Sequence, residues 1–106
     1  MKYKNIITEY QGIKFHSKKE AKRYGDLLLL QKMNYIKDLE IQPKIPLIVN
    51  NKTIGSYIGD FKYFDNKLKK TIIEDVKSKA TITPLYRLKK KILSTYQPPV
   101  EITEIF

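Results

Sequence analysis

A chain of 106 residues has room for one domain with one modest core, and 42% hydrophobic against 30% charged residues suits a folded protein rather than a disordered one. The absence of cysteine excludes disulfides and thiolate metal sites, so any metal falls to oxygen ligands or to the single His16. A net charge of +10, from 21 Lys and Arg against 11 Asp and Glu, points to a polyanionic partner.

Nucleic acid is the leading partner, since no stretch is long, basic and apolar-faced enough to favour a membrane surface. Met1 to Tyr10 has no signal-like apolar run, and Leu27 to Leu30 is far too short to span a bilayer, so a cytoplasmic protein is expected.

Lys2 to Phe15 reads as a short irregular hairpin or arm, which would touch DNA or cover a core edge. Ser17-Lys18-Lys19-Glu20 is a capping-box pattern, so a helix should begin near Lys18 and run to about Met33, roughly 25 Å. Tyr24, Leu27, Leu28 and Tyr35 lie at core spacing, with Lys18, Lys19, Lys22, Arg23 and Asp26 on the wet side. Glu20 aligns with the buried stripe and has two readings: a helix cap reaching back to the Ser17 amide, or an acid aimed at a site elsewhere. His16, in the basic run before this helix, reads as a loop residue.

Asn34 closes the helix, and Ile36 to Gln42 follows as a strand interrupted by Pro43. Gln42 suits a satisfied strand-end amide better than a phosphate-orienting one. Ile45 to Val49 continues as an edge feature marked by Pro46, and Asn50-Asn51-Lys52 is a turn. Tyr57 to Phe64 and Thr71 to Lys77, rich in aromatic and β-branched residues around Asp65-Asn66-Lys67, form an antiparallel hairpin. Ser78 to Ile82 is a polar loop carrying Lys79. Thr83 at the N-cap and Pro84 at N1 then start a second helix, which Pro98-Pro99 stops after Tyr96. Leu85, Leu88, Ile92 and Tyr96 make its core stripe. Arg87, Lys89, Lys90 and Lys91 make it basic, with Lys89 on the inner side. Val100 to Phe106 ends the chain as a strand parallel to the one carrying Asp75, joined to it by a right-handed crossover. The expected fold is α/β: a small mixed β-sheet flanked by two helices, with no repeat or linker.

Asp60 and Asp75 stand out because acids sit poorly in such strands. Alternation puts Asp75 and Lys77 on one face and Glu74 and Val76 on the other. A loop of Asn66 to Lys69 sets Asp60 directly across from Asp75, and a tighter loop of Asn66-Lys67 sets it one diagonal away on the same face. Opposed Cβ atoms lie about 5 Å apart, so the two carboxylates would repel unless one is protonated or a hard divalent ion such as Mg²⁺ is shared.

Asp60 followed by Asp75-Val76-Lys77 resembles the Asp…(Asp/Glu)-x-Lys signature of the PD-(D/E)xK nuclease superfamily. Gly12 to Ala21, Leu39 to Pro43, Gly59-Asp60-Phe61, Glu74 to Lys77 and Thr83 to Lys89 together resemble a family of small phage-encoded endonucleases, over about Lys2 to Ile105. The departures are Gly59 in place of the name-giving Pro and Ser78 where Gly often follows the Lys. The resemblance implies a restriction-endonuclease-like core in a phage-encoded protein of the bacterial cytoplasm. It implies one or two Mg²⁺ or Mn²⁺ ions held by Asp60, Asp75, the Val76 carbonyl and Glu20, with Lys77 offsetting charge on the attacked phosphate. Lys89 would approach the scissile phosphate, while Arg87, Lys90, Lys91, Lys79, Lys18 and Lys19 would meet DNA. Branched or junction DNA is the expected substrate, and junction resolution would need a homodimer.

Two alternatives stand beside this. An Asp, Asp and Lys trio on a basic hairpin also occurs as a surface salt-bridge cluster. The same charges and tyrosines would equally serve a non-catalytic nucleic-acid-binding module.

Overall fold

Strict alternation along one central strand divides the molecule into two cores. The computed structural model describes residues 8–106. In strand β7 (Lys70–Val76), Ile72 packs into one core and Ile73 into the other. Around it a sheet runs in the order β3 (Ile36–Ile41), β6 (Phe61–Asp65), β7 and β8 (Ile102–Ile105), antiparallel except for the β7–β8 pair. Helix α1 (Lys18–Lys32) covers one face through Ala21, Tyr24 and Leu27, packed with Phe15, Ile36, Phe61 and Tyr63. Helix α2 (Pro84–Ser94) covers the other through Tyr86 and Leu93, with the hairpin of β4 (Lys44–Val49) and β5 (Lys52–Ile58) beside it. A small hairpin of β1 (Thr8–Tyr10) and β2 (Ile13–Phe15) precedes α1. Leu27, Phe61 and Leu93 are fully enclosed, each stabilising the fold by about 1.5–3 kcal/mol.

Local chemistry accounts for the element boundaries. Ser17 Oγ accepts the Glu20 N–H at 3.1 Å, and Thr83 Oγ1 accepts the Tyr86 N–H at 3.1 Å with Pro84 at the first turn, each cap contributing about 1 kcal/mol. Asn34, at φ 64°, takes the left-handed turn that ends α1. Asn50 and Asn51 both have positive φ, as a tight β4–β5 hairpin requires. The β6–β7 turn is held by Asp65 Oδ1, which accepts the N–H groups of Lys67 and Leu68 at 2.9 Å each. The turn therefore spans Asn66–Lys69, the longer of the two loops considered, and sets the register Phe61↔Glu74. Among the described residues no helix is long and apolar enough to cross a membrane.

The mixed α/β architecture with two helices agrees with the expectation, as does the parallel final strand. Four details differ. Tyr57 to Phe64 is not one strand: the chain bends at Gly59-Asp60, so Tyr57 belongs to β5 and pairs with Ile45, while Phe61 opens β6 in another sheet. The Gly59 N–H donates to the Pro43 carbonyl at 3.0 Å, and a Cβ there would meet Ile73 Cγ2 at 3.2 Å, which accounts for glycine rather than proline at this bend. On α2 the buried stripe is Tyr86 and Leu93, with Ile92 and Tyr96 half-buried; Leu85 and Leu88 are 60% and 54% exposed, because the hairpin and β8 approach the helix from its other side. Tyr35 lies beyond the helix end and is exposed, whereas Arg23, expected in water, turns inward. Of the N-terminal arm, residues 1–7 lie outside those described, and the remainder forms the β1–β2 hairpin.

Candidate active site

The bend at Gly59-Asp60 delivers one acid and the middle of β7 delivers the other. Continuing the β6–β7 register by one residue places Asp60 across from Asp75, on the face that α2 covers. The Asp60 N–H donates to the Glu74 carbonyl at 3.0 Å, and Asp60 Oδ2 accepts the Val76 N–H at 2.6 Å, so backbone on both sides fixes this carboxyl. Asp75 is only 6% exposed. Its Oδ1 meets Lys77 Nζ at 3.2 Å, and its Oδ2 accepts the Tyr57 hydroxyl. Both acids and Lys77 line one open cleft of about 420 Å³ between β5, β7 and α2, with Glu20 and Lys89 on its walls.

The electrostatics follow from this crowding. Burial pushes the Asp60 carboxyl up to about 8; the Val76 amide pulls it down, and the neighbouring Asp75 and Glu20 carboxylates push it up again. Glu20 is likewise raised, first by burial, with His16 opposing and Asp75 adding to the rise. Burial and the bond to Asp75 raise the Tyr57 phenol far above its ordinary range, so it serves as a fixed donor.

Lys77 has two contacts of different kinds. Besides Asp75, its ammonium lies 3.8 Å from the centroid of the Tyr86 ring. The Tyr86 hydroxyl in turn donates to Glu104 Oε2 at 2.7 Å, and Lys90 Nζ stands 3.3 Å from that oxygen. A continuous polar chain thus runs from Tyr57 through Asp75, Lys77 and Tyr86 to Glu104 and Lys90.

The remaining residues singled out in the sequence divide into committed and uncommitted groups. Lys89 Nζ donates to the Ser56 carbonyl at 3.0 Å and lines the cleft, in keeping with its inner position. Lys19 Nζ donates to the Lys77 carbonyl at 3.1 Å, pinning the start of α1 to the exit of β7. Lys90 is taken up by Glu104. Lys18, Lys79, Arg87 and Lys91 are exposed, with Lys79 in a single 3-10 turn at Lys79–Thr81. The Glu20 amide is capped by Ser17, while the residue lines the cleft. Gln42 is exposed, with its backbone N–H on the Asp60 carbonyl, and His16 is exposed.

The donor set suits a hard cation that keeps part of its water. Two neighbouring carboxyls, one raised well above its ordinary value, are relieved by a shared positive charge. Among the described residues, no three His, Cys, Asp or Glu side chains converge closely enough to hold a metal on protein ligands alone. The protein therefore offers a pair of carboxylates with Glu20 at the mouth, and Mg²⁺ accepts water for the rest.

Several residues of the site were not evident in the sequence. Tyr57, Tyr86 and Glu104 carry hydroxyl or carboxyl groups that touch the Asp75–Lys77 pair or its neighbours, yet Tyr57 and Glu104 read as strand residues and Tyr86 falls outside the expected core stripe of the second helix. Glu74, 1% exposed, lies on the opposite face and is held by Arg23 through two bonds, Nε to Oε1 at 2.8 Å and Nη2 to Oε2 at 2.5 Å, and by the Tyr63 hydroxyl. An acid flanked by apolar strand residues, opposite a helix with one arginine, was the available signal.

No curated protein and no solved structure gives a significant match to the chain. A family model described as a protein of unknown function, DUF1064, matches residues 1–105, nearly the whole chain. The bend that brings Asp60 to Asp75 and Lys77 is thus set in a chain that belongs to the DUF1064 family.

Proposed function

We propose that the protein is a metal-dependent DNA endonuclease of the PD-(D/E)xK, restriction-endonuclease-like kind. One observation carries the reading: Asp60, at the bend before β6, lies across from Asp75 of β7 and opens, with it and Lys77, into a single cleft of a chain whose net charge is +10. A buried Asp75 beside a half-buried Asp60 is costly unless a positive charge compensates the pair, and a strongly basic surface around it suits a phosphodiester.

A bound Mg²⁺ or Mn²⁺ supplies a Lewis acid for a phosphoryl oxygen and makes a bound water more acidic. Asp60 and Asp75 would hold the ion, with the Val76 carbonyl and Glu20 as further oxygen donors; all four residues line the same cleft. Lys77 brings a positive charge to where negative charge gathers on the attacked phosphate, and the Tyr86 ring keeps that charge within the cleft. Lys89, on the cleft wall, neutralises the neighbouring phosphate.

A second reading has an observation of its own. Both oxygens of Asp75 already have protein partners, Lys77 and Tyr57, as a purely structural cluster in a nucleic-acid-binding module would require. A cleavage screen separates the two, using linear, flap, hairpin and four-way-junction DNA with Mg²⁺, Mn²⁺ or EDTA. The nuclease reading expects divalent-dependent scission that Asp75→Ala and Asp60→Ala abolish while DNA binding persists. Binding without scission of any of these DNAs in either metal sinks it in favour of the module.

A further inference from the structure

A second concavity, of about 450 Å³, lies across α2 from the acidic cleft, between the helix and the end of β8. Its volume is within the range of about 300–1,000 Å³ typical of small-ligand sites. The floor is mainly apolar, built on Ile82 and Tyr86, and the rim is cationic, with Arg87, Lys90 and Lys91. The one carboxylate there, Glu104, is occupied by the Tyr86 hydroxyl and Lys90. The Ser94 hydroxyl turns back onto its own helix, donating to the Lys91 carbonyl. Arg87 and Lys91, one helical turn apart and exposed, have no acidic partner among the described residues.

An apolar floor under unpaired cations selects a ligand with a flat or hydrocarbon body and an anionic group. Tyr86 lines both this groove and the cleft, so whatever occupies the groove lies one aromatic side chain away from Lys77 and Asp75. We infer that the groove binds an unpaired nucleotide of single-stranded DNA, its base on the Ile82–Tyr86 floor and its flanking phosphates against Arg87 and Lys91. The choice of ligand rests on the nuclease reading of the cleft. The groove shares none of the acids or Lys77, so each fails separately. It makes the preferred substrate one with an unpaired base beside the bond to be cut.

The test is fluorescence anisotropy of the full chain in EDTA, with a labelled short oligothymidylate and an abasic strand of the same length, alongside cleavage with Mn²⁺. The wild type should bind the base-bearing strand about ten-fold more tightly, the scale of one stacked base. Arg87→Gln with Lys91→Gln, both at exposed positions, should weaken binding by about ten-fold, and Asp75→Asn should leave the base preference intact. Equal binding of the two strands, or an Arg87/Lys91 variant that binds like the wild type, overturns the groove assignment even if DNA is cleaved. Base preference without cleavage by the wild type leaves the groove standing and removes the nuclease reading. Sedimentation with phosphatidylglycerol vesicles that the oligothymidylate fails to compete away would assign the groove to a lipid surface and overturn the proposal.

Discussion

Lys77 and Tyr86 are in face contact: the lysine ammonium lies 3.8 Å from the tyrosine ring centroid while also meeting Asp75 Oδ1 at 3.2 Å. The ring therefore offers the ammonium a second attraction that does not depend on Asp75. Once Asp75 is engaged by a cation, the ring is what keeps Lys77 at the cleft.

The consequence is a difference between two substitutions at one position. Tyr86→Phe keeps the aromatic face and loses only the bond to Glu104, whereas Tyr86→Leu loses the face as well. A desolvated ammonium–ring contact is worth roughly 2 kcal/mol. Single-turnover cleavage at saturating DNA should be little changed in Tyr86→Phe and fall by about ten-fold or more in Tyr86→Leu. Equal losses in the two variants would show that the ring is merely packing.

On the proposed reading, Lys77 also stands where it would compete with a metal. Replacing it with methionine removes the positive charge from Asp75 Oδ1. Isothermal titration should find Mn²⁺ bound about ten-fold more tightly by Lys77→Met than by the wild type, although the variant cleaves nothing. Mn²⁺ should raise the melting temperature of the wild type, and Asp60→Ala or Asp75→Ala should remove that rise. Weaker Mn²⁺ binding by Lys77→Met would show that the lysine does not guard the site.

Asp60 links the cleft to pH. Its carboxyl is raised from 3.8 to about 8, so in this range the folded chain holds a proton that the unfolded chain has released. Its stabilising contribution is complete below 3.8 and is lost as the pH rises through about 8. In EDTA, urea unfolding of the wild type should therefore lose stability across that window relative to Asp60→Asn, which keeps an acceptor for the Val76 N–H. Parallel stability curves for the two proteins would contradict this.

On the other face of β7, Glu74 is a lever on stability alone. It is enclosed, bound twice by Arg23 and once by Tyr63, so removing Arg23 strands a buried charge and removing Glu74 empties a fully buried site. Glu74→Ala or Arg23→Ala should cost about 3–5 kcal/mol, a large part of the roughly 5–15 kcal/mol that holds a domain together. Urea denaturation measures it. A loss below about 1 kcal/mol would mean that the pair is solvated.

Periodicity and punctuation were enough to name the elements. Ser17 and Thr83 start the helices, Asn34 ends the first, and the asparagine pair at Asn50-Asn51 turns one hairpin, because these effects act within a few residues of chain. Alternation alone placed Asp75 with Lys77 and apart from Glu74. Either turn length put Asp60 on that face; the turn at Asn66 to Lys69, which Asp65 holds by local bonds, sets it directly across from Asp75.

What the tertiary structure decided is everything that depends on chain segments far apart in sequence. Whether Leu85 or Tyr86 faces inward on α2 depends on where the β4–β5 hairpin and β8 sit, and nothing in the local pattern specifies that. At Gly59, where Pro43 and Ile73 leave little room for a side chain, the chain bends and a run that reads as one strand divides between two sheets. Tyr57 meets Asp75, Tyr86 meets Lys77 and Arg23 meets Glu74 across 18, 9 and 51 positions of sequence. Local propensity acts over a turn or a strand, whereas the partners of a buried charge are chosen by packing.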